Sequence, residues 1–155
     1  MVLEHQVRMT NLIAGVGQQF RRASNNGTLE STKSLDRAVE QMVEYMLFVD
    51  EAPLLEPVKG VSTFTTTFPK RGPRDKRGRS LRDFDLQKRL FRYPLSYMIY
   101  TEAFAAMPDS VRARVYQRLH EVLSGKDQSP KFRHLSVIDR QAITEILHDT
   151  KPDLP

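Results

Sequence analysis

Apolar residues recur at three- and four-residue steps through most of this chain, and that spacing predicts helices. Val2, Met9, Leu12, Ile13, Val16 and Phe20 mark one face of an amphipathic helix over residues 4–20. Ser24, Asn25, Asn26 and Gly27 end it, and a polar loop is expected as far as Ser34. Ser34 is a good N-cap, with Asp36 in the first turn to suit the positive end of the helix dipole. Leu35, Ala38, Val39, Met42, Val43, Met46 and Leu47 then form an uninterrupted stripe ending near Asp50, before a proline-punctuated linker, EAPLLEPVKG, over residues 51–60.

The middle of the chain is less regular. VSTFTTTF, residues 61–68, has a strand-like composition. No partner strand is evident elsewhere, however, and Val61, Phe64 and Phe68 share a helical face, so a short helix is expected. Gly72-Pro73 and Gly78 predict a loop. Ser80 is placed to cap a short turn carrying Leu81 and Phe84, and Leu86, Leu90 and Phe91 predict helical structure resuming. Pro94 suits the first position of a helix. Its Leu95, Tyr97, Met98, Ile99, Tyr100, Phe104 and Met107 are apolar on several sides, which predicts a central, heavily buried element. Pro108-Asp109 is a stop and restart with Asp109 as N-cap. Val111, Val115, Tyr116, Leu119, Val122 and Leu123 follow as a stripe that Gly125 ends. After a loop over residues 126–135, Ser136 and Asp139 have the spacing of a capping box, with Asp replacing the usual Glu. Ile138, Ala142, Ile143, Ile146 and Leu147 form the last face. The expected fold is all-α: one domain over residues 1–155, an irregular bundle of five or six helices crossed by a long basic surface loop.

That basic loop is where charge changes the picture. Residues 70–92, KRGPRDKRGRSLRDFDLQKRLFR, carry ten basic side chains against Asp75, Asp83 and Asp85, a local balance of +7 in a chain of net charge +5. The remainder is therefore close to neutral, and the excess is one local feature. Lys70, Arg71, Arg74, Lys76, Arg77, Arg79 and Arg82 are the candidate anion- or partner-binding residues, since guanidinium groups bind carboxylate or phosphate through a two-pronged contact. Their competing use is to tie the loop to acids of the protein's own helices, with Asp36, Glu40, Glu44 and Asp50 as expected partners. The Arg preference, the interleaved aspartates and the apolar Leu81, Phe84 and Leu86 favour that second use.

Other chemistry is sparse. The chain has no cysteine, which excludes disulfides, thiolate metal sites and a cysteine nucleophile. His120, His134 and His148 are spaced by fourteen residues, which matches no metal-ligand pattern, so these and His5 are expected at the surface or at caps. Glu102 is the one carboxylate in an aromatic-rich segment, and a solvated or Arg-paired state is the expectation. Tyr93, Tyr97 and Tyr100, with Phe91 and Phe104, are expected in the core. No serine-nucleophile, phosphate-loop or dinucleotide motif occurs, so no catalytic residue, cofactor or metal is expected. Nothing approaches the roughly 18 consecutive apolar residues of a membrane helix. The N-terminus, MVLEHQVRMTNL, lacks the basic start and apolar run of a signal peptide. It opens almost inside a helical pattern, as a piece of a longer protein would.

Three passages, GPRDKRGRSLRDFDL from Gly72, RLFRYPLSYMIY from Arg89 and DRQAITEILHDTKPDLP from Asp139, resemble the C-terminal region of larger, uncharacterised bacterial proteins. The resemblance covers roughly the last hundred residues. It implies an exported or periplasmic setting, where the chain alone would read as cytoplasmic, and brings no activity or functional residues. Leu95 stands where those proteins often have a cysteine after the RYP triplet. The functional expectation is a non-catalytic helical domain that docks on another protein region or domain. The alternatives are a nucleic-acid-binding module using the Arg-rich stretch, and part of an enzyme completed by further sequence, with Glu102 or His120 lining its cleft.

Overall fold

Two long helices open the chain as an antiparallel hairpin, in a computed structural model that describes residues 1–60 and 62–154. Helix α1 (Val2–Asn26) buries His5, Met9, Ile13 and Val16 along one face. It runs past its expected end at residue 20 and stops at Gly27, whose positive φ of 57° closes the helix with its N–H on the Ala23 carbonyl. Left-handed backbone is where glycine costs least. Helix α2 (Leu29–Met46) begins at Thr28, not at Ser34 as its apolar stripe implies. The Thr28 hydroxyl accepts from Ser31 N, and Ser31 and Thr32 bond back to the Thr28 carbonyl. The polar stretch is helical because this end of the hairpin has little core to face, so polarity there reports exposure and not a loop.

Beyond α2 the linker runs without regular structure and is held by two backbone bonds, Leu54 N to Lys88 O and Val58 N to Leu86 O, each 2.9 Å. A short helix does form in the ambiguous segment, α3 (Phe64–Thr67), although Val61 lies outside the described residues. A 3-10 turn, Pro69–Arg71, follows directly. The turn at Ser80 forms as expected, with Asp83 N bonded to the Ser80 carbonyl. The helix expected around Leu86 to Phe91 does not. The chain instead doubles back through Asp85 N to Leu90 O and Leu86 N to Arg89 O, with Phe84 and Phe91 bridged antiparallel. Asp85 causes the reversal: its carboxylate accepts the N–H groups of both Gln87 and Lys88 at 2.8 Å. Leu86 sits at φ 59° in the turn, and the Phe84 and Phe91 rings stack 5.5 Å apart.

The central buried element is also not one helix. Burial is as expected, with Leu95, Tyr97, Met98, Ile99, Phe104 and Met107 all inside. The backbone, however, divides into a 3-10 turn, Tyr97–Tyr100, and the single-turn helix α4 (Glu102–Ala105). Ser96 and Thr101 are extended, and each hydroxyl accepts an N–H further on, from Met98 and Phe104. Such side chains offer the backbone an alternative to the helix ladder. The N-cap of helix α5 (Asp109–Leu123) is Pro108, one residue before the expected Asp109. Helix α6 (Val137–Thr150) carries the capping box on Ser136 and Asp139 as read from the sequence. Ile138, assigned to its apolar face, is exposed instead.

The fold is thus all-α, with six helices and no strand among the described residues. α1 packs along α2, α2 on α5, and α5 on α6. Arg118 of α5 fastens α2 through Glu40 at 2.6 Å. Buried apolar side chains form one continuous cluster, in which Tyr97, Phe91, Phe104 and Phe132 are the largest fully covered members. No helix among the described residues is long and apolar enough to cross a membrane.

Candidate functional site

The basic stretch lies along α6, and its charges separate into two groups. Arg77 and Arg79 both reach Glu145, at 3.0 and 2.7 Å, and Lys76 reaches Asp149 at 3.3 Å. Arg79 also pairs with Asp75 at 2.7 Å, and Arg74 pairs with Asp83 at 3.0 Å. Further along, Arg89 binds Asp139 at 2.6 Å, so the capping-box acid of α6 also anchors the hairpin. Asp75 is the pivot of this clasp. Burial pushes its carboxyl upward, but hydrogen bonds from the Arg79 N–H and guanidinium, that group's charge and the Arg77 N–H outweigh it and hold the pKa below the ordinary value.

Internal pairing is therefore the use these arginines are put to, but with different partners. Asp36 pairs with Arg114, Glu40 with Arg118 and Lys131, and Glu44 with Lys131. Asp50 makes no ion pair among the described residues. The acids of α2 face α5 and the turn after it, while the basic loop crosses α6. Sequence spacing could not decide between the two sets of acids.

Lys70, Arg71, Arg82, Lys88 and Arg92 form the second group. None of them has a carboxylate partner among the described residues. Lys70 and Arg71 are exposed at the end of the 3-10 turn after α3. Arg82 is half-buried, its guanidinium carbon 4.9 Å from the centre of the Phe68 ring and 4.8 Å from that of Tyr97. The two rings meet edge to face, 5.1 Å apart. Arg82 Nε and the Tyr97 hydroxyl are both buried without a hydrogen-bond partner. Burial works against the Arg82 charge and lowers its pKa, Tyr97 opposing the shift and Arg71 adding to it. Burial also pushes the Tyr97 phenol up to about 12, the Arg82 charge and the nearby Gln6 amide pulling the other way. Phe68 and Tyr97 lie far from Arg82 in sequence, so no local periodicity announces this seat.

His5 is the residue that sequence reasoning placed wrongly. It is 4% exposed, stacked against Tyr45 at 5.1 Å and Phe48 at 4.9 Å. Its Nε2 is 2.7 Å from the Ser96 hydroxyl. Burial lowers its pKa to about 4. Ser96 Oγ also accepts the Met98 N–H, so the His5–Ser96 contact is tied to the backbone of the 3-10 turn. The signal was present in the sequence: His5 stands four residues before Met9 on the buried face of α1. Ser96 is wholly covered, so the hydroxyl of this Ser–His contact is shut off from solvent.

The remaining candidates carry less. A groove of about 570 Å³ beside His5 is lined by Arg8, Tyr45, Asp50 and Glu51. Arg8 lies over the Tyr45 ring, and burial raises the Glu51 carboxyl, with Arg89 opposing. His134 donates from Nε2 to the Leu47 carbonyl at 2.7 Å, a cap on the end of α2. His120, His148 and Glu102 are exposed. Among the described residues no group of three or more His, Asp or Glu could hold a metal ion. Tyr93 and Tyr97 are buried, and Tyr100 bonds Thr150 at 2.6 Å. Compared with protein-family models, curated proteins and solved structures, the chain matches none.

Proposed function

We propose that the chain is a non-catalytic helical interaction domain that docks on an acidic region of another protein or domain, within or beside a larger bacterial protein. One observation carries this reading: the basic stretch is a clasp with a free end. Arg74, Lys76, Arg77 and Arg79 are neutralised by acids of the protein itself, while Lys70, Arg71 and Arg82 are not. The free end is small and lies beside the half-exposed ring of Phe64, 5.1 Å from Phe68. A few fixed charges next to an aromatic surface suit a protein contact, where Arg and aromatic side chains concentrate. A phosphate backbone calls for a longer row of unpaired cations, each displacing counterions, and internal pairing has claimed Arg74, Lys76, Arg77, Arg79 and Arg89 from the stretch.

Fluorescence anisotropy tests the reading, with a labelled Glu-rich peptide compared with DNA and RNA oligonucleotides of similar length at about 50 mM salt. The peptide is expected to bind more tightly than either nucleic acid, and less tightly once Lys70, Arg71 and Arg82 are replaced by Ala. Tighter, steeply salt-dependent binding of the nucleic acid overturns the reading, and so does no binding of the peptide.

A further inference from the structure

Two basic side chains lie against one aromatic cluster, and only one of them can give up its charge. His5 and Arg82 both approach Tyr97, with the His5 ring 5.9 Å from the Tyr97 ring and the Arg82 guanidinium carbon 4.8 Å from it. His5 meets the low-dielectric surroundings by remaining neutral. A guanidinium has no such recourse, because it is not deprotonated in proteins. The faces of Phe68 and Tyr97 attract the cation, yet they do not neutralise it. The buried Nε has no hydrogen-bond acceptor at all.

Charges withdrawn from water are ordinarily paired, and this half-buried one is opposed by burial and by Arg71, with Tyr97 offsetting only part of that. A water molecule would serve the orphaned Nε and the Tyr97 hydroxyl, but it leaves the charge as it was. Only an anion answers both needs. Nε is covered, while the two terminal amino groups have no partner and are not among the fully buried unpaired atoms, so an incoming oxyanion meets the end of the fork. The fork is also held in place. A Cβ at Gly72 would come within 2.9 Å of Arg82 Cδ and of Ser80 Oγ, so the backbone at Gly72 lies directly on the arginine stem. The opposite side is the Phe68–Tyr97 pair. An arginine fixed in this way has lost most of its conformational freedom before any ligand arrives, which lowers the cost of binding.

Resting on the docking reading above, we infer that Arg82, with Arg71 beside it, is a preorganised site for one carboxylate, supplied by an acidic side chain of the partner. A planar carboxylate matches the guanidinium fork, and Arg71, exposed and close enough to act on the Arg82 charge, supplies a second positive charge.

The site is tested in the full chain, labelled with nitrogen-15, by following the amide resonances of Gly72, Arg82 and Tyr97. Sodium acetate, and then a Glu-rich peptide, replaces sodium chloride at constant ionic strength. Saturable shifts at these three amides are expected, with half-saturation moved to about fivefold higher concentration in Arg71→Ala, the loss of one exposed charge contact. Arg82→Lys keeps the charge and the stem but lacks the fork, and it is expected to weaken the response further. Drift that is linear and equal for acetate and chloride overturns the site. Saturation by inorganic phosphate below the acetate concentration overturns it too, by making it a phosphate site. If acetate saturates at Arg82 but the peptide binds no more tightly than acetate, the carboxylate site stands and the docking reading falls. If the peptide binds tightly without shifting these amides, docking stands and the site falls.

Discussion

The clasp on α6 and the aromatic seam behind it treat positive charge in opposite ways. In the clasp, Arg77 and Arg79 share Glu145, Lys76 meets Asp149 and Arg79 covers Asp75, so each cation has an acid within 3.3 Å. In the seam, Phe48, Phe68, Phe91 and Tyr97 surround His5 and Arg82 without a single carboxylate partner. The clasp satisfies charge by matching it. The seam avoids charge at His5 and leaves it standing at Arg82. The number of arginines in a stretch therefore says little about attraction to a partner; what matters is which of them the protein's own acids have already claimed.

The sharpest way to separate the two regions is pH. His5 has a folded pKa lowered to about 4 from an ordinary 6.5, so the folded state binds fewer protons than the unfolded chain between those values. Its contribution is whole above pH 6.5, declines as pH falls through the window, and levels off near pH 4. The difference is worth on the order of 3 kcal/mol. The clasp acids, Asp75 and Asp139 among them, have folded pKa values lowered below their ordinary ones near 3.8. Their contribution is present above the unfolded value and is lost as pH falls through the lower folded values. Two successive declines are thus expected in urea-melt stability, one between pH 6.5 and 4 and one below it. His5→Asn is expected to flatten the first and spare the second; a first decline of undiminished slope in that variant would show that His5 is not its source.

A smaller effect tests the clasp alone. Asp75→Ala leaves the Arg77 and Arg79 N–H groups without their acceptor and strips Arg79 of one partner. Its side chain is 1% exposed, but Arg79 keeps its second partner Glu145, so the loss belongs at the lower end for a broken buried pair, about 2 kcal/mol. Chemical denaturation at pH 7 measures it. Stability unchanged within error would mean that the clasp is decorative.

How these regions are written in the sequence explains what could be read in advance. The stripes of α2, α5 and α6 and the Ser136–Asp139 capping box were legible because each depends on neighbours three or four residues apart. The start of α2 was not, because Thr28 and Ser34 are both good caps and only the packing of the hairpin chooses between them. The helix expected after Pro94 failed for a similar reason. Ser96 and Thr101 take N–H groups from the ladder, and Ser96 is held by its own N–H on the Met46 carbonyl at 2.8 Å, a contact made from the end of α2. At the candidate site, the charge excess was plain and internal pairing was anticipated. The acids that accept it lie on α6, some 70 residues further along the chain, and no local pattern connects them. Arg82 could not be separated from the six other basic candidates, since its distinction lies in what is absent around it.

The smallest expected effect bears most directly on Arg82. Gly72→Ala introduces a methyl group 2.9 Å from Arg82 Cδ and from Ser80 Oγ, closer than nonbonded carbon atoms settle. The arginine stem must move, and overpacking of this kind costs about 1 kcal/mol. That cost falls first on the seam, because the atoms nearest the new methyl group belong to Arg82 and Ser80. Melting is therefore expected to drop slightly, the acid-side decline below pH 4 to keep its shape, and the acetate response of the Arg82 amide to weaken out of proportion to the change in stability. Equal loss in both measurements would mean that Gly72 serves the fold in general. A weakened response with near-normal melting would mean that the glycine is there to let the backbone hold Arg82 in position.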